Sequence, residues 1–201
     1  MFRIVGLGGT AKEASSTELA LEIALKHVRG ADMTVRQFDG AFLARLPFYG
    51  TCEASGDKNA RLLIEAIREA DGILIASPGY HGSISGLVKN ALDHLEDTSR
   101  DIRIYLDGLP VGLIVTAYGS QATGSTIMAL RSIVHALRAW PTPFGATIVS
   151  RPGLFLSGKC SDPVVEEQLA LVGHQLARYA RLHAEDRRNV AGQASVGEPA
   201  Q

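Results

Sequence analysis

Cysteine is scarce in this chain of 201 residues, which has two, Cys52 and Cys160, far apart and without a CxxC pair. Neither has a histidine at ligand spacing, and the histidines share no such spacing among themselves, so we expect no metal site. The loop of residues 77–83 also contains no strong nucleophile. Two isolated cysteines are typical of reduced thiols in the cytoplasm.

Long apolar runs and an excess of one charge are also missing. No apolar stretch approaches the about 20 residues that span a bilayer, and residues 1–5 read as a first strand and not as a signal peptide. The formal net charge is −1, which gives no broad attraction to nucleic acid or anionic membranes. We therefore expect a cytoplasmic protein that binds neither.

Strand and helix patterns alternate regularly along the chain. The strands are predicted at residues 2–7, 34–38, 72–76, 111–116 and 147–149. The helices are predicted at residues 16–28, 58–69, 86–95, 126–139 and 163–184, with an irregular stretch at 40–57. The apolar runs GILIA and VGLIV are typical of parallel strands that are buried on both faces.

This alternation predicts an α/β fold, a flavodoxin-like three-layer sandwich with helices on both faces of a five-stranded parallel sheet. We choose the strand order 2-1-3-4-5 because loops rich in glycine and serine follow strands one, three and four. In that order the three strands are adjacent, so their loops meet at the carboxyl edge of the sheet, where open α/β sheets bind ligands. One domain is expected over residues 1–185, followed by a disordered tail over 186–201.

The first of these loops precedes a helix that Ser15 and Glu18 are predicted to open as a capping box. A helix N-terminus with free amides near a cation is a ready anion site. The candidate phosphate ligands are Thr10, Lys12, Ser15, Ser16 and Thr17. The alternative is a capped turn with a solvent-facing lysine.

A short match to a dinucleotide motif lies in the same place. Residues 6–11 fit G-x-G-x-x-A, and Asp39 ends the second strand as if to meet a ribose. That motif requires the helix to open within a tight turn, whereas the capping box delays the helix by several residues. The resulting wide loop suits a terminal monophosphate better, so we reject the dinucleotide interpretation.

The second loop carries a family resemblance. The run Ser77-Pro78-x-Tyr80-x-Gly82-Ser83-Ile84-x-Gly86-x-x-Lys89-Asn90-x-x-Asp93 resembles the second flavin-contacting loop of the NADPH-dependent FMN reductases with a flavodoxin-like fold. The likeness extends over roughly residues 1 to 180. Gly79 and His81 depart from it, because relatives often carry Glu and Asn there. The resemblance implies FMN as cofactor and NADPH or NADH as hydride donor.

The resemblance also implies where the flavin ring lies. Its edge would follow the second loop, in which Pro78 and Gly79 shape the turn and backbone amides would donate to the ring carbonyls and N5. Those amides belong to Gly79, Tyr80, His81, Gly82 and Ser83. Its pyrimidine end would meet the third loop, through Thr116, Tyr118, Gly119, Ser120 and Gln121. No catalytic residue is assigned, since hydride transfer needs ring overlap and not a proton donor. The alternatives are ordinary connecting turns, with Tyr80 packed on a neighbouring subunit.

Two helices suggest further contacts. Lys89 and Asp93 are spaced i,i+4 and are expected to form a structural ion pair. The fourth helix is apolar beyond one stripe, which predicts a buried outer face and hence a homodimer or homotetramer. The residues concerned are Ile127, Met128, Leu130, Ile133, Val134 and Leu137.

The expected function is reduction of FMN by NAD(P)H, with the reduced flavin passing to a partner flavin-dependent monooxygenase. One alternative retains FMN and reduces quinones or azo compounds. A second is a flavodoxin-type electron carrier that does not oxidise NAD(P)H, which the near-neutral charge disfavours. A third has lost cofactor binding. The preference for NADPH over NADH stays open among Lys12, Arg45 and Arg100.

Overall fold

The computed structural model describes residues 1–28, 30, 32–51, 56–156 and 158–196. Five parallel strands form one sheet in the order β2-β1-β3-β4-β5, which confirms the predicted topology. The strands are β1 (Phe2–Gly8), β2 (Met33–Phe38), β3 (Gly72–Pro78), β4 (Pro110–Ala117) and β5 (Trp140–Val149). A small antiparallel hairpin of β6 (Phe155–Leu156) and β7 (Lys159–Cys160) follows the sheet.

Six helices are described: α1 (Ser16–Val28), α2 (Gly40–Leu43), α3 (Lys58–Arg68), α4 (Gly86–Asp93), α5 (Ser120–Ala136) and α6 (Pro163–Val196). A 3-10 helix, His94–Thr98, continues α4. None of these helices is long and apolar enough to cross a bilayer.

Helices cover the sheet on both faces, and successive residues of each strand point alternately toward the two helical layers. All residues of β3 are buried. Ile73 and Ile75 pack in one cluster with α3, α4 and α5, whereas Leu74 and Ala76 pack with α1 and α6 on the other face. Burying each large aliphatic side chain contributes about 1.5–3 kcal/mol, so the central strands fix the edge at which the connecting turns emerge.

Two element boundaries differ from the prediction by six or seven residues. β5 begins at Trp140 and not at 147, because it is an edge strand on which Pro141 and Pro143 need no second sheet partner. α5 begins at Ser120 and not at 126. A side chain at Gly124 would meet nothing within 4 Å, and a helix tolerates such a glycine at a cost of about 1 kcal/mol.

Two further differences concern α2 and the end of α6. The stretch predicted to be irregular contains the short helix α2, which the Asp39 side chain caps by accepting from the Phe42 amide at 2.7 Å. α6 continues to Val196, through residues expected in a disordered tail. Residues 197–201, and Cys52, lie outside the described residues.

The outer face of α5 is less apolar than the sequence predicted. Leu130 and Val134 are fully buried, and the half-buried Ile127, Ile133 and Leu137 pack against the core of the same chain. Met128 is 65% exposed. Packing within one chain thus accounts for most of this apolar surface, and the homo-oligomer stays a prediction.

Candidate ligand site at the carboxyl edge of the sheet

The turns after β1, β3 and β4 meet at one cavity of about 230 Å³, as the strand order predicted. Its lining consists of Thr10, Lys12, Ala14, Ser15, Ser16, Thr17, Pro78, Gly79, Tyr80, Thr116, Ala117, Tyr118 and Ser150. We call it the rim cavity. A cavity of about 360 Å³ lies beside the amino ends of β4 and β5, lined by Trp140 and Pro141 among others. No strand–helix turn after a carboxyl end reaches it, so the smaller rim cavity is the better candidate.

The first turn delivers unpaired amides to the rim cavity. Ser15 caps α1, since its Oγ accepts from the Glu18 amide at 3.2 Å. The amides of Ala14, Ser16 and Thr17 donate no hydrogen bond within the described structure, and their residues line the cavity. Ala14 has a φ of 49°, the left-handed conformation that helps successive amides converge on an anion. Lys12 is the one charged side chain among the described residues that line the cavity.

A pair of threonines joins the first turn to the sheet. Thr17 Oγ1 and Thr116 Oγ1 lie 2.7 Å apart and are buried. This hydrogen bond fixes the start of α1 against the end of β4. The two hydroxyls were predicted as ligand contacts, and in this structure each already has the other as a partner.

Three of the five amides of the second turn, from Gly79 to Ser83, are already hydrogen-bonded, which corrects the expectation that all five could donate to the ring. The Gly79 amide donates to the Thr116 carbonyl at 2.8 Å, and Tyr80 and Ser83 exchange backbone hydrogen bonds of 2.9 and 3.1 Å. His81 and Gly82 between them have φ values of 52° and 85°, as in a type I′ turn. Only the amides of His81 and Gly82 donate to no described group in this turn.

His81, Gly82 and Ser83 lie at the exposed tip of this turn and do not line the rim cavity.

The third turn is shorter than predicted because α5 begins at Ser120. Tyr118 lines the cavity and is 87% exposed, whereas Gly119, Ser120 and Gln121 do not line it and stand at the N-terminus of α5. The amides of residues 120–122 donate no hydrogen bond in the described structure, so a second helix N-terminus opens beside the rim.

Only half of the predicted capping box is present: the Glu18 amide donates to Ser15 Oγ, but the Glu18 carboxyl does not accept from the Ser15 amide in the described structure. Its Oε1 accepts from the Gly40 amide at 3.0 Å, and the side chain is buried. Burial raises the pKa of the Glu18 carboxyl above its ordinary value, against the opposing effect of the Gly40 hydrogen bond. The carboxyl thereby links α1 to the start of α2.

The helix after the second turn has the predicted structural role. Lys89 and Asp93 form an ion pair on the surface of α4. No group of three or more metal-binding side chains is present among the described residues. The chemistry of the rim is therefore that of amides, hydroxyls, one lysine and exposed tyrosines.

The family model of NADPH-dependent FMN reductases matches residues 2–151. That range holds all five strands of the sheet and all three turns. The chain belongs to this family. It is therefore an oxidoreductase of a flavodoxin-like, FMN- and NADPH-dependent family, as its sequence predicted.

Two similar proteins have names that specify an acceptor, which the family name does not. The FMN-dependent NADPH-azoreductase of Staphylococcus saprophyticus is 34% identical over 142 residues, 67% of this chain and 70% of that protein. The protein of the same name from Staphylococcus aureus is 33% identical over 139 residues, with the same two shares.

Solved structures share the fold at lower identity. The flavoenzyme NAD(P)H:(acceptor) oxidoreductase FerB from Paracoccus denitrificans has a TM-score of 0.74 at 17% identity, over 91% of this chain and 99% of that one. The apo form of the NADH:FMN oxidoreductase EMOB has a TM-score of 0.70 at 22% identity, over 88% and 89%.

The sequence interpretation missed three lining residues of the rim cavity: Ala14, Ala117 and Ser150. Ser150 follows β5, and its amide donates to the Ala117 carbonyl at 2.7 Å. The rule that predicted the other turns applies equally to this one, because β5 is the neighbour of β4 in the predicted order.

Proposed function

We propose that this chain binds FMN in the rim cavity, accepts a hydride from NADPH and passes the electrons to a small azo or quinone acceptor. The observation that carries the proposal is the junction of three turns, one with free amides and a lysine, at the carboxyl edge of a flavodoxin-like sheet. Bound FMN supplies the chemistry, since its N5 takes up a hydride and its ring returns two electrons. We propose residues 1–185 as the FMN-binding domain.

The phosphate end of FMN fits the first turn. The free amides of Ala14, Ser16 and Thr17 and the dipole of α1 favour an anion. Lys12 adds the positive charge, and the hydroxyls of Ser15 and Ser16 are within the same lining. Thr10 closes the turn, as its Oγ1 accepts from the Lys12 amide at 3.2 Å.

The ring end fits the two tyrosine-bearing turns. Tyr80 and Tyr118, 53% and 87% exposed, offer flat apolar faces beside Pro78 and Gly79. The His81 and Gly82 amides, together with those that open α5, are the donors available for the ring carbonyls, where negative charge gathers on reduction. The same two turns contain the remaining predicted contacts, which we propose hold the tyrosines in place without contacting the ring: Ser83, Gly119, Ser120 and Gln121.

The acceptor we favour is an azo or quinone compound that reacts while FMN stays bound. The relatives named as azoreductases support it. Cleavage of an azo bond balances as one azo compound, two NADPH and two protons giving two amines and two NADP⁺. Transfer of reduced FMN to a monooxygenase is the second candidate, and the family name supports it. Residence in the cytoplasm and assembly as a homo-oligomer are parts of the same proposal.

Anaerobic mixing of the FMN-loaded protein with NADPH tests the donor step. We expect the flavin absorbance to bleach at a rate that depends on NADPH concentration. An unchanged spectrum would favour a flavodoxin-type carrier, and protein that binds no added FMN would favour loss of the cofactor. Steady-state turnover with free FMN, a quinone and an azo dye, each with NADPH and NADH, then ranks the acceptors and the donors.

A further inference from the structure

A second cavity of about 340 Å³ adjoins the rim cavity. It lies between the first turn, the segment that follows α2, and the start of α4. Its lining consists of Gly9, Thr10, Ala11, Leu43, Ala44, Leu46, Phe48, Tyr80, Ser85, Gly86, Leu87 and Asn90. Thr10 and Tyr80 line both cavities, so the two share a wall. We call it the side cavity.

The side cavity suits an uncharged aromatic ring. No charged side chain is among the described residues that line it, and Leu43, Leu46, Phe48 and Leu87 supply apolar surface. An apolar cavity of about 150 Å³ is known to hold a benzene molecule, so the volume here accommodates a substituted ring. Phe48 is 77% exposed, which leaves its ring free to contact a ligand.

Phe48 stands on a segment that α4 holds in place. Asn90 Nδ2 donates to the Pro47 carbonyl at 3.0 Å, and Asn90 Oδ1 accepts from the Tyr49 amide at 2.9 Å. His94 Nε2 also donates to the Pro47 carbonyl, at 2.9 Å. The residues on both sides of Phe48 are thus hydrogen-bonded to buried side chains, 9% exposed for Asn90 and 0% for His94. The position of the Phe48 backbone follows from these bonds.

We propose that the side cavity binds the distal aryl ring of a two-ring acceptor, such as a neutral azobenzene, whose reducible bond lies over the flavin. Phe48 contacts that ring and selects for it, and Asn90 is the positioning residue that holds Phe48. The proposal rests on the proposed function for the location of the flavin. A one-ring acceptor fits over the flavin alone, whereas the second ring of a diaryl compound must continue past the rim, and the wall of Thr10 and Tyr80 leads to the side cavity.

The first test compares acceptors with one and two rings on the FMN-loaded protein. Phe48→Ala is expected to lower kcat/KM for 4-(dimethylamino)azobenzene about tenfold and to leave kcat/KM for 1,4-benzoquinone within twofold. Binding is measured separately with trans-4-hydroxystilbene, in which C=C replaces the azo bond and no reduction occurs. Its Kd is expected to rise about tenfold in the variant. Equal losses for both acceptors, or no loss for either, would overturn the proposal.

The second test separates positioning from general damage. Asn90→Ala is expected to raise KM for the azobenzene and Kd for the stilbene with benzoquinone kinetics unchanged, and Asn90→Asp, which retains the acceptor for the Tyr49 amide, to fall between. Lys89→Ala, next to it and paired with Asp93, is the control and should match the wild type. Stilbene binding by Asn90→Ala equal to the wild type would refute the positioning role.

The outcomes distinguish this inference from the proposed function. Wild-type protein that NADPH fails to bleach contradicts the proposed function, while the effect of Phe48→Ala on the stilbene Kd still decides whether the side cavity takes an aryl ring. If Asn90→Ala does not fold, the Phe48→Ala comparison stands alone and keeps the same two refuting results.

Discussion

The replacement Gly40→Ala should weaken FMN binding although Gly40 touches neither proposed end of the cofactor. A Cβ at this position would lie 1.7 Å from the Thr10 carbonyl oxygen and 2.1 Å from its carbon. Cβ contacts below 3.0 Å are essentially never seen, so the backbones of Thr10 and residue 40 must separate by about 1.3 Å. Thr10 begins the turn that carries the free amides. Misplacement of about 1 Å in a catalytic array can cost on the order of 10²-fold in rate, and we take that figure as the upper bound for the loss of FMN affinity.

We expect the FMN Kd of Gly40→Ala to rise between tenfold and a hundredfold, about 1.4–2.8 kcal/mol. The unfolding free energy of the apoprotein should fall by about 1–3 kcal/mol, the usual cost of overpacking. Quenching of FMN fluorescence on titration with apoprotein measures the first quantity, and urea unfolding measures the second.

Gly124→Ala is the matched control, because a Cβ there meets nothing within 4 Å on the surface of α5. It should leave FMN affinity unchanged and stabilise the protein by up to about 1 kcal/mol. The reasoning fails if Gly40→Ala binds FMN within twofold of the wild type, since the first turn would then not depend on the position of Thr10.

Three further predictions follow from other contacts. Ser16→Glu places a carboxylate among the free amides of α1, so FMN affinity should fall at least about a hundredfold with no loss of thermal stability, since an acidic residue at a helix N-terminus is favourable; unchanged FMN affinity would exclude the first turn as the phosphate site. The raised pKa of the Glu18 carboxyl means that the native state holds this proton to higher pH than the unfolded state, so its contribution to stability is full below the unfolded pKa and is lost as pH rises through the native pKa. In urea unfolding, the wild type should therefore lose stability relative to Glu18→Gln as pH rises from about 4.5, and parallel curves would contradict this. Arg103 donates to the carbonyls of Ile67, Arg68 and Ala70 at the end of α3, so Arg103→Ala should cost about 2–3 kcal/mol, whereas Arg100→Ala, exposed and without a partner in the described structure, should stay within about 0.5 kcal/mol.

The central part of the fold could be predicted because its signals are local and redundant. β3 and β4 are buried throughout and are apolar except for Ser77 and Thr116 near their carboxyl ends, a pattern that few structures other than a covered parallel sheet produce. Turns rich in glycine and serine then identified the strands that had to be neighbours. The family resemblance around residues 77–93 supplied the cofactor, which periodicity could not have done.

The periphery could not be predicted because tertiary contacts decide it. Pro141 and Pro143 disfavour a strand in general, and only the edge position of β5 makes them acceptable. Glu18 fits a capping box in sequence, yet its carboxyl accepts from Gly40, 22 residues away. The internal bonding of the turn from Tyr80 to Ser83 is likewise invisible in sequence, since His81 had to adopt a positive φ.

That internal bonding changes how the proposed site would hold FMN. The first turn has a lysine and free amides at a helix N-terminus, whereas the turn after β3 uses three of its five amides on its own backbone and on β4. In the proposed complex, affinity would be concentrated at the phosphate, and the ring would be held by few donors beside the exposed Tyr80 and Tyr118. Few fixed donors at the ring would leave room for a nicotinamide and then an acceptor to stack on it, which a hydride relay requires. The buried Thr17–Thr116 hydrogen bond ties the firm end to the sheet, so that exchange of partners at the ring need not disturb the phosphate.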